Sequence, residues 1–263
     1  MYFSVKHIDV KLNQDYADFS IDENRNSLVL CDGIGEFTDS GKFSKLVVDQ
    51  FISKNYSKLS DIIGDSDLIK LKNDKIEGGT TFISAVNKNN NDILYLEYLG
   101  NGGIIHFHGD FSANVNSEEP YRYGEIMIPH ISPNGALTRH ISHNSGKAEL
   151  ESSTIELNLN YITGDIILLF SDGISSLEDK VILKDNENRF WRNENPAVQV
   201  VLKEFHLFLK SNINANNFND NLIEFNEAIL EKLKAENYLE DDASLGIIIT
   251  ENVLNHYKEK FND

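Results

Sequence analysis

Four aspartates stand where short apolar runs begin or end, and no other pattern in the sequence says as much about chemistry. Asp32 closes the run LVLC and is followed by GIG, and Asp172 closes IILLFS and is followed by GIS. Asp15 opens the run YADFSI, and Asp241 precedes ASLGIIIT. In an antiparallel sheet the end of one strand and the start of its neighbour share an edge, so the four carboxylates are expected to converge on one rim. For Asp15 and Asp32 the expectation is direct, because the ENRN turn folds their two runs into one hairpin. Carboxylates packed this way repel one another unless positive charge compensates, and a pair of hard divalent cations would supply it. Oxygen ligands without His or Cys point to magnesium or manganese rather than zinc. A single Asp-Gly pair is an ordinary turn dipeptide, so the argument rests on acids in matched positions.

The elements that must carry these acids read as short strands joined by tight turns. Runs of β type cover Tyr16 to Ile21, Ser27 to Cys31, Thr80 to Val86, Ile93 to Leu99, Gly103 to His108, Glu125 to Ile128, Ile166 to Phe170 and Ala243 to Thr250. Helical spacing recurs at Phe43, Leu46, Val47, Phe51 and Ile52 after a cap at Ser40, from about Ala197 to Leu209, and at Leu222, Phe225, Ile229 and Leu233. The asparagine-rich stretches Lys88 to Asp92 and Asn212 to Asn221 read as surface loops. Many strands with a few segregated helices predict an α+β fold of two antiparallel sheets with helices outside. No repeat or linker divides residues 1–263, so one domain is expected.

Bulk properties exclude several functions. Lys and Arg number 24 against 42 Asp and Glu, a net charge of −18 that repels nucleic-acid phosphates and anionic lipid headgroups. No apolar run reaches a membrane span and the opening MYFSVKHIDV lacks a signal-peptide pattern, so a cytoplasmic protein is expected. The lone Cys31 has no internal disulfide partner and, inside LVLC, reads as a buried structural thiol.

With these residues in place the chain resembles the PPM, or type 2C, family of metal-dependent protein phosphatases. The resemblance follows the family's motif order through NQD (13–15), DGIG (32–35), GGTT (78–81), GNGG (100–103), SDGIS (171–175) and DDAS (241–244), and KHIDVKLNQDYA resembles a bacterial branch. It implies an αββα sandwich with two metals at one edge. It further implies that Asp32 bridges them, that the Gly33 carbonyl completes one shell, that Asp172 and Asp241 hold the other metal, and that Asp15 is a ligand directly or through water. The implied reaction is hydrolysis of phosphoserine or phosphothreonine in a phosphorylated protein by a metal-activated water, opposite a cognate kinase.

The pattern departs from the family at three places. Val10 stands where many members have a phosphate-clamping arginine, leaving His7 and Lys11, with Lys6, as substitute phosphate contacts; lysine lacks the bidentate fork. Asn101 replaces an aspartate that helps hold a further metal, and Ile34 stands where some eukaryotic members place a histidine. Trp191, in the variable segment between Asp172 and Asp241, reads as a core anchor or a partner contact, and Arg189 and Arg192 are a reserve of positive charge. Val10 and Asn101 also keep open a weak or inactive phosphoprotein-binding relative, and the same metals would serve a phosphatase of small metabolites.

Overall fold

The computed structural model describes residues 1–63, 76–88, 91–108, 123–132, 136–145, 150–160, 162–174, 182–184, 190–192 and 196–261. Its strands are β1 (Tyr2–Ile8), β2 (Tyr16–Ile21), β3 (Arg25–Cys31), β4 (Gly79–Thr80), β5 (Phe82–Lys88), β6 (Ile93–Leu99), β7 (Gly103–His108), β8 (Tyr123–Glu125), β9 (Ile141–Ser142), β10 (Ser153–Asn158), β11 (Asp165–Phe170), β12 (Ile182–Lys184), β13 (Phe190–Arg192) and β14 (Ala243–Ile249). The helices, numbered here in chain order, are α1 (Ser40–Ser53), α2 (Leu59–Ile63), α3 (Pro196–Asn212), α4 (Phe218–Ala235) and α5 (Glu251–Phe261).

Two five-stranded antiparallel sheets dominate, ordered β1-β14-β11-β7-β8 and β10-β6-β5-β3-β2. The apolar runs explain which strands are central. β14 (ASLGIII), β11 (DIILLF) and β3 (RNSLVLC) are buried along their whole length, as strands covered on both faces must be. β10 (STIELN) alternates half-buried and exposed positions and lies at an edge. One core fills the space between the sheets, around Phe3, Leu28, Ile83, Leu169 and Ile248. A second lies under α3, α4 and α5, and a third joins β3 and β5 to α1 and α2. The result is the expected αββα layering.

Both sheets bring corresponding strand ends to the same rim. In the first sheet Ile8 pairs with Ala243, and Phe170 pairs with Leu245 and Gly103. In the second, Tyr16 pairs with Cys31 and Phe82 with Leu99. The chain passes between the sheets at this rim through residues 9–15 and through residues 100–102.

Several expected boundaries move. The run from Thr80 to Val86 is two strands, because Thr81 turns its amide and hydroxyl to Asp32 instead of continuing a ladder. The strand expected at Glu125 to Ile128 lies at Tyr123–Glu125, where β7 offers its edge. Ser40 is not the cap of α1: Asp39 holds that position, and the Ser40 hydroxyl donates to the Ile34 carbonyl at 2.6 Å. Phe218 to Asn221, expected as loop, forms the first turn of α4 because Phe218 packs into the core. Part of Lys88 to Asp92 lies outside the described residues, as do Arg189 and the side chains of Trp191 and Arg192. No described helix is long and apolar enough to cross a membrane.

Candidate active site

Asp15 sits at the first crossing, 2% exposed. Its Oδ2 accepts hydrogen bonds from the Ser171 and Ser244 hydroxyls, each at 2.8 Å, so a residue beside Asp172 and one near Asp241 both orient it. Its Oδ1 is buried and has no partner. An orphaned carboxylate oxygen in a dry site is costly, and its natural complement is a cation or a proton.

Asp32 follows β3 and is fixed through its backbone. The Thr81 amide donates to its carbonyl at 2.8 Å, the Thr80 hydroxyl donates to the same oxygen at 2.9 Å, and its own amide donates to the Thr81 hydroxyl at 3.1 Å. The GGTT segment is therefore the clamp that aims Asp32. At Gly33 a Cβ would lie 2.7 Å from Gln14 Cβ, and at Gly173 one would lie 2.1 Å from the Asp242 carbonyl. Both Asp-Gly pairs thus need glycine for close approach, whatever their turn type.

Asp32 lies close enough to Asp15 and Asp172 for the three carboxyls to act on one another's charge. Burial first, then the charges of Asp15 and Asp172, push the Asp32 carboxyl well above its ordinary range. Burial likewise raises Asp15 to about 7, against the opposing hydroxyls of Ser171 and Ser244. Asp172 also accepts the Asn101 amide at 2.5 Å. Asn101 lies between Gly100 at φ +117° and Gly102 at φ +105°, conformations that a side chain would strain.

Asp241 is exposed at the head of β14 and accepts its neighbour's amide at 3.0 Å. Asp242, which the sequence does not single out, is 3% exposed and gathers the amides of Val10, Lys11, Leu12 and Gln14 at 2.6, 2.8, 3.3 and 2.8 Å. Burial alone would raise its pKa; those donors outweigh burial and lower it. Asp242 thus shapes the loop that presents Asp15.

His130 is the other residue missed. Its amide donates to the Gly100 carbonyl at 2.8 Å, and the Gly100 amide donates to its Nδ1 at 3.1 Å. That fixes the ring proton on Nε2, which lies 2.9 Å from the Ser153 hydroxyl. His130 holds the Gly100–Gly102 loop, and with it Asn101.

Of the expected phosphate contacts, Lys6 pairs with Glu227 at 2.9 Å. His7 is half-buried with its ring 5.0 Å from that of Tyr16, and burial lowers its pKa. Lys11 is exposed, and Val10 packs partly buried against the core beneath α3 and α4. Cys31 is fully buried, and burial raises its thiol pKa, as a structural role requires.

Among the described residues no group of three His, Cys, Asp or Glu side chains stands as a ready metal cage. The donor set nevertheless fits hard cations, since it is all oxygen, crowded and leaves Asp15 Oδ1 unpaired.

No protein-family model and no curated protein matches the chain. Solved structures do. Serine/threonine phosphatase Stp1 from Staphylococcus aureus is 16% identical with a TM-score of 0.60, covering 95% of this chain and 96% of that one. The S. agalactiae serine/threonine phosphatase is 16% identical with a TM-score of 0.57, over 93% and 97%. The Mycobacterium tuberculosis serine/threonine phosphatase PstP/Ppp is 15% identical with a TM-score of 0.55, over 93% and 96%. The chain therefore has the αββα fold of these bacterial serine/threonine phosphatases, which is the PPM-family fold.

Proposed function

We propose that residues 1–263 act as one PPM-type phosphatase domain that hydrolyses phosphoserine or phosphothreonine in proteins. The observation that carries this reading is the buried, unpaired Asp15 Oδ1 beside Asp32 and Asp172, in a fold shared with serine/threonine phosphatases. Asp15, Asp32, the Gly33 carbonyl, Asp172 and Asp241 are the residues proposed to hold two divalent cations, manganese or magnesium. When bound, such ions neutralise the carboxylates, polarise a phosphoryl oxygen and bring the pKa of a held water towards neutrality.

The chain's own contribution is aim. Ser171 and Ser244 fix Asp15, the GGTT segment fixes Asp32, and Asn101 fixes one oxygen of Asp172. Asp32, Asp172 and Asp241 are the proposed catalytic carboxylates. Lys11, exposed on the crossing loop, offers the phosphate a point charge, whereas the half-buried His7 offers an uncharged N–H donor. A kinase acting on the same phosphoprotein is the implied partner, and the cytoplasm the implied compartment.

The test is turnover of an aryl phosphate and of phosphoserine and phosphothreonine peptides by chelator-treated protein, before and after manganese or magnesium is added. Metal-dependent release of phosphate from the peptides is expected. Folded protein that hydrolyses neither substrate would overturn the reading, and turnover confined to small esters would reassign the substrate.

A further inference from the structure

We propose that the cleft where the outer edges of β1 and β2 meet docks an extended basic segment of a protein partner, which on the reading above is the phosphorylated substrate. Strand β1 ends the first sheet and β2 ends the second, and α4 packs beside β1. Between them lies a cleft of about 440 Å³. Phe19 and Ile223 give it an apolar lining, and Asp18, Glu227 and Glu231 set its charge. Lys6 neutralises Glu227 at 2.9 Å, so Asp18 and Glu231, both exposed, leave the cleft acidic. The complementary ligand carries Lys or Arg and buries apolar side chains between them.

The backbone suits an extended ligand. A strand at the end of a sheet presents unpaired amides and carbonyls, and a peptide binds there by adding a strand. Here the Phe19 amide is satisfied by its own neighbour, the Asp18 carboxylate, at 2.8 Å. A cationic side chain that draws Asp18 away would free that amide for the incoming strand, so charge recognition and strand addition are coupled at one residue.

The cleft also points at the candidate site. His7 lines it and lies against Tyr16, the residue after Asp15. From Phe19 to Asp15 is four residues along the chain, or about 13 Å of extended backbone. A substrate lying along β2 would therefore carry its basic and apolar residues about four positions from the phosphorylated one.

Fluorescence anisotropy tests this with a short unphosphorylated peptide alternating arginine with valine, its glutamate counterpart, and ion-free protein. Binding of the arginine peptide alone, weakened by salt, is expected. The double variant Asp18→Lys, Glu231→Lys should weaken it about tenfold while leaving aryl phosphate turnover unchanged. The charge-matched variant Asp92→Lys, Glu156→Lys, at the far edge of the second sheet, should not. Equal loss in both variants, binding of both peptides, or no binding would overturn the proposal. Because binding is read without metal or turnover, this result stands apart from the outcome of the phosphatase assay.

Discussion

Asp15 and Asp242 are buried to nearly the same degree, 2% and 3% exposed, yet their pKa values move in opposite directions. Asp242 receives four backbone amides and is stabilised as an anion. Asp15 receives two hydroxyls, faces two other carboxyls, and keeps one oxygen unpaired. At the opposite rim Asp165, fully buried, has a partner for each oxygen: the His106 ring meets Oδ1 and the Asn160 amide donates to Oδ2. A buried acid with all its partners is part of the scaffold. One left short of partners, among others of its kind, is a candidate for function.

The sharpest way to break this contrast is to exchange charge for amide in the two settings. Asp32→Asn should lower kcat by roughly a thousandfold or more, because it removes charge where the cations are proposed to bind, while the ion-free protein gains thermal stability. Asp242→Ala should do the reverse first: it strands four amides and should cost about 3 kcal/mol of stability in denaturant unfolding. If Asp32→Asn also destabilised the ion-free form, the carboxylates would not be repelling one another.

The pH dependence of stability separates the two acids again. Asp15 titrates near 7 in the folded chain and near 3.8 when exposed, so between those values the native state holds a proton that the unfolded state has lost. The stability contributed by that proton is present below about pH 4 and falls away as pH rises to about 7. Asp242, lowered in the fold, contributes with the opposite sign: its stability is present above its ordinary pKa and lost on acidification. Urea unfolding of Asp242→Asn across this range should leave the downward trend that Asp15 and Asp32 share, and adding manganese should abolish it.

The smallest expected effect lies at His130. His130→Ala should reduce kcat about tenfold with little change in KM and cost about 1 kcal/mol, since it releases Gly100 and loosens Asn101. His130→Gln, whose carbonyl can accept the Gly100 amide, should restore turnover; failure of that rescue with stability intact would remove the positioning role.

Much of this was legible in the residues. The unbroken apolar runs before Asp32 and Asp172 locate β3 and β11, and the acids fall at the rim because antiparallel strands return there. β1 and β10 escaped, since YFSVKHI mixes polar and apolar residues and STIELN alternates only weakly, as edge strands do. Among the described side chains of α5, ENVLNHYKEKF, Val253 and Leu254 are the buried ones, a stripe too short to read. Within the site, the acids were visible but their supports were not. Ser171 and Ser244 meet Asp15 across 156 and 229 residues, and His130 meets Gly100 across 30, contacts that only the assembled sheets create.

The central claim is that the crowded, buried carboxyls of Asp15 and Asp32, both raised above their ordinary pKa, take up a divalent cation at the expense of protons. Calorimetric titration of manganese into ion-free protein at about pH 6.5, repeated in buffers of different ionisation enthalpy, counts the protons released. The account predicts release of about one proton or more per protein on saturation, falling in Asp32→Asn. Tight manganese binding with no proton release, or unaltered binding in Asp32→Asn, would contradict it.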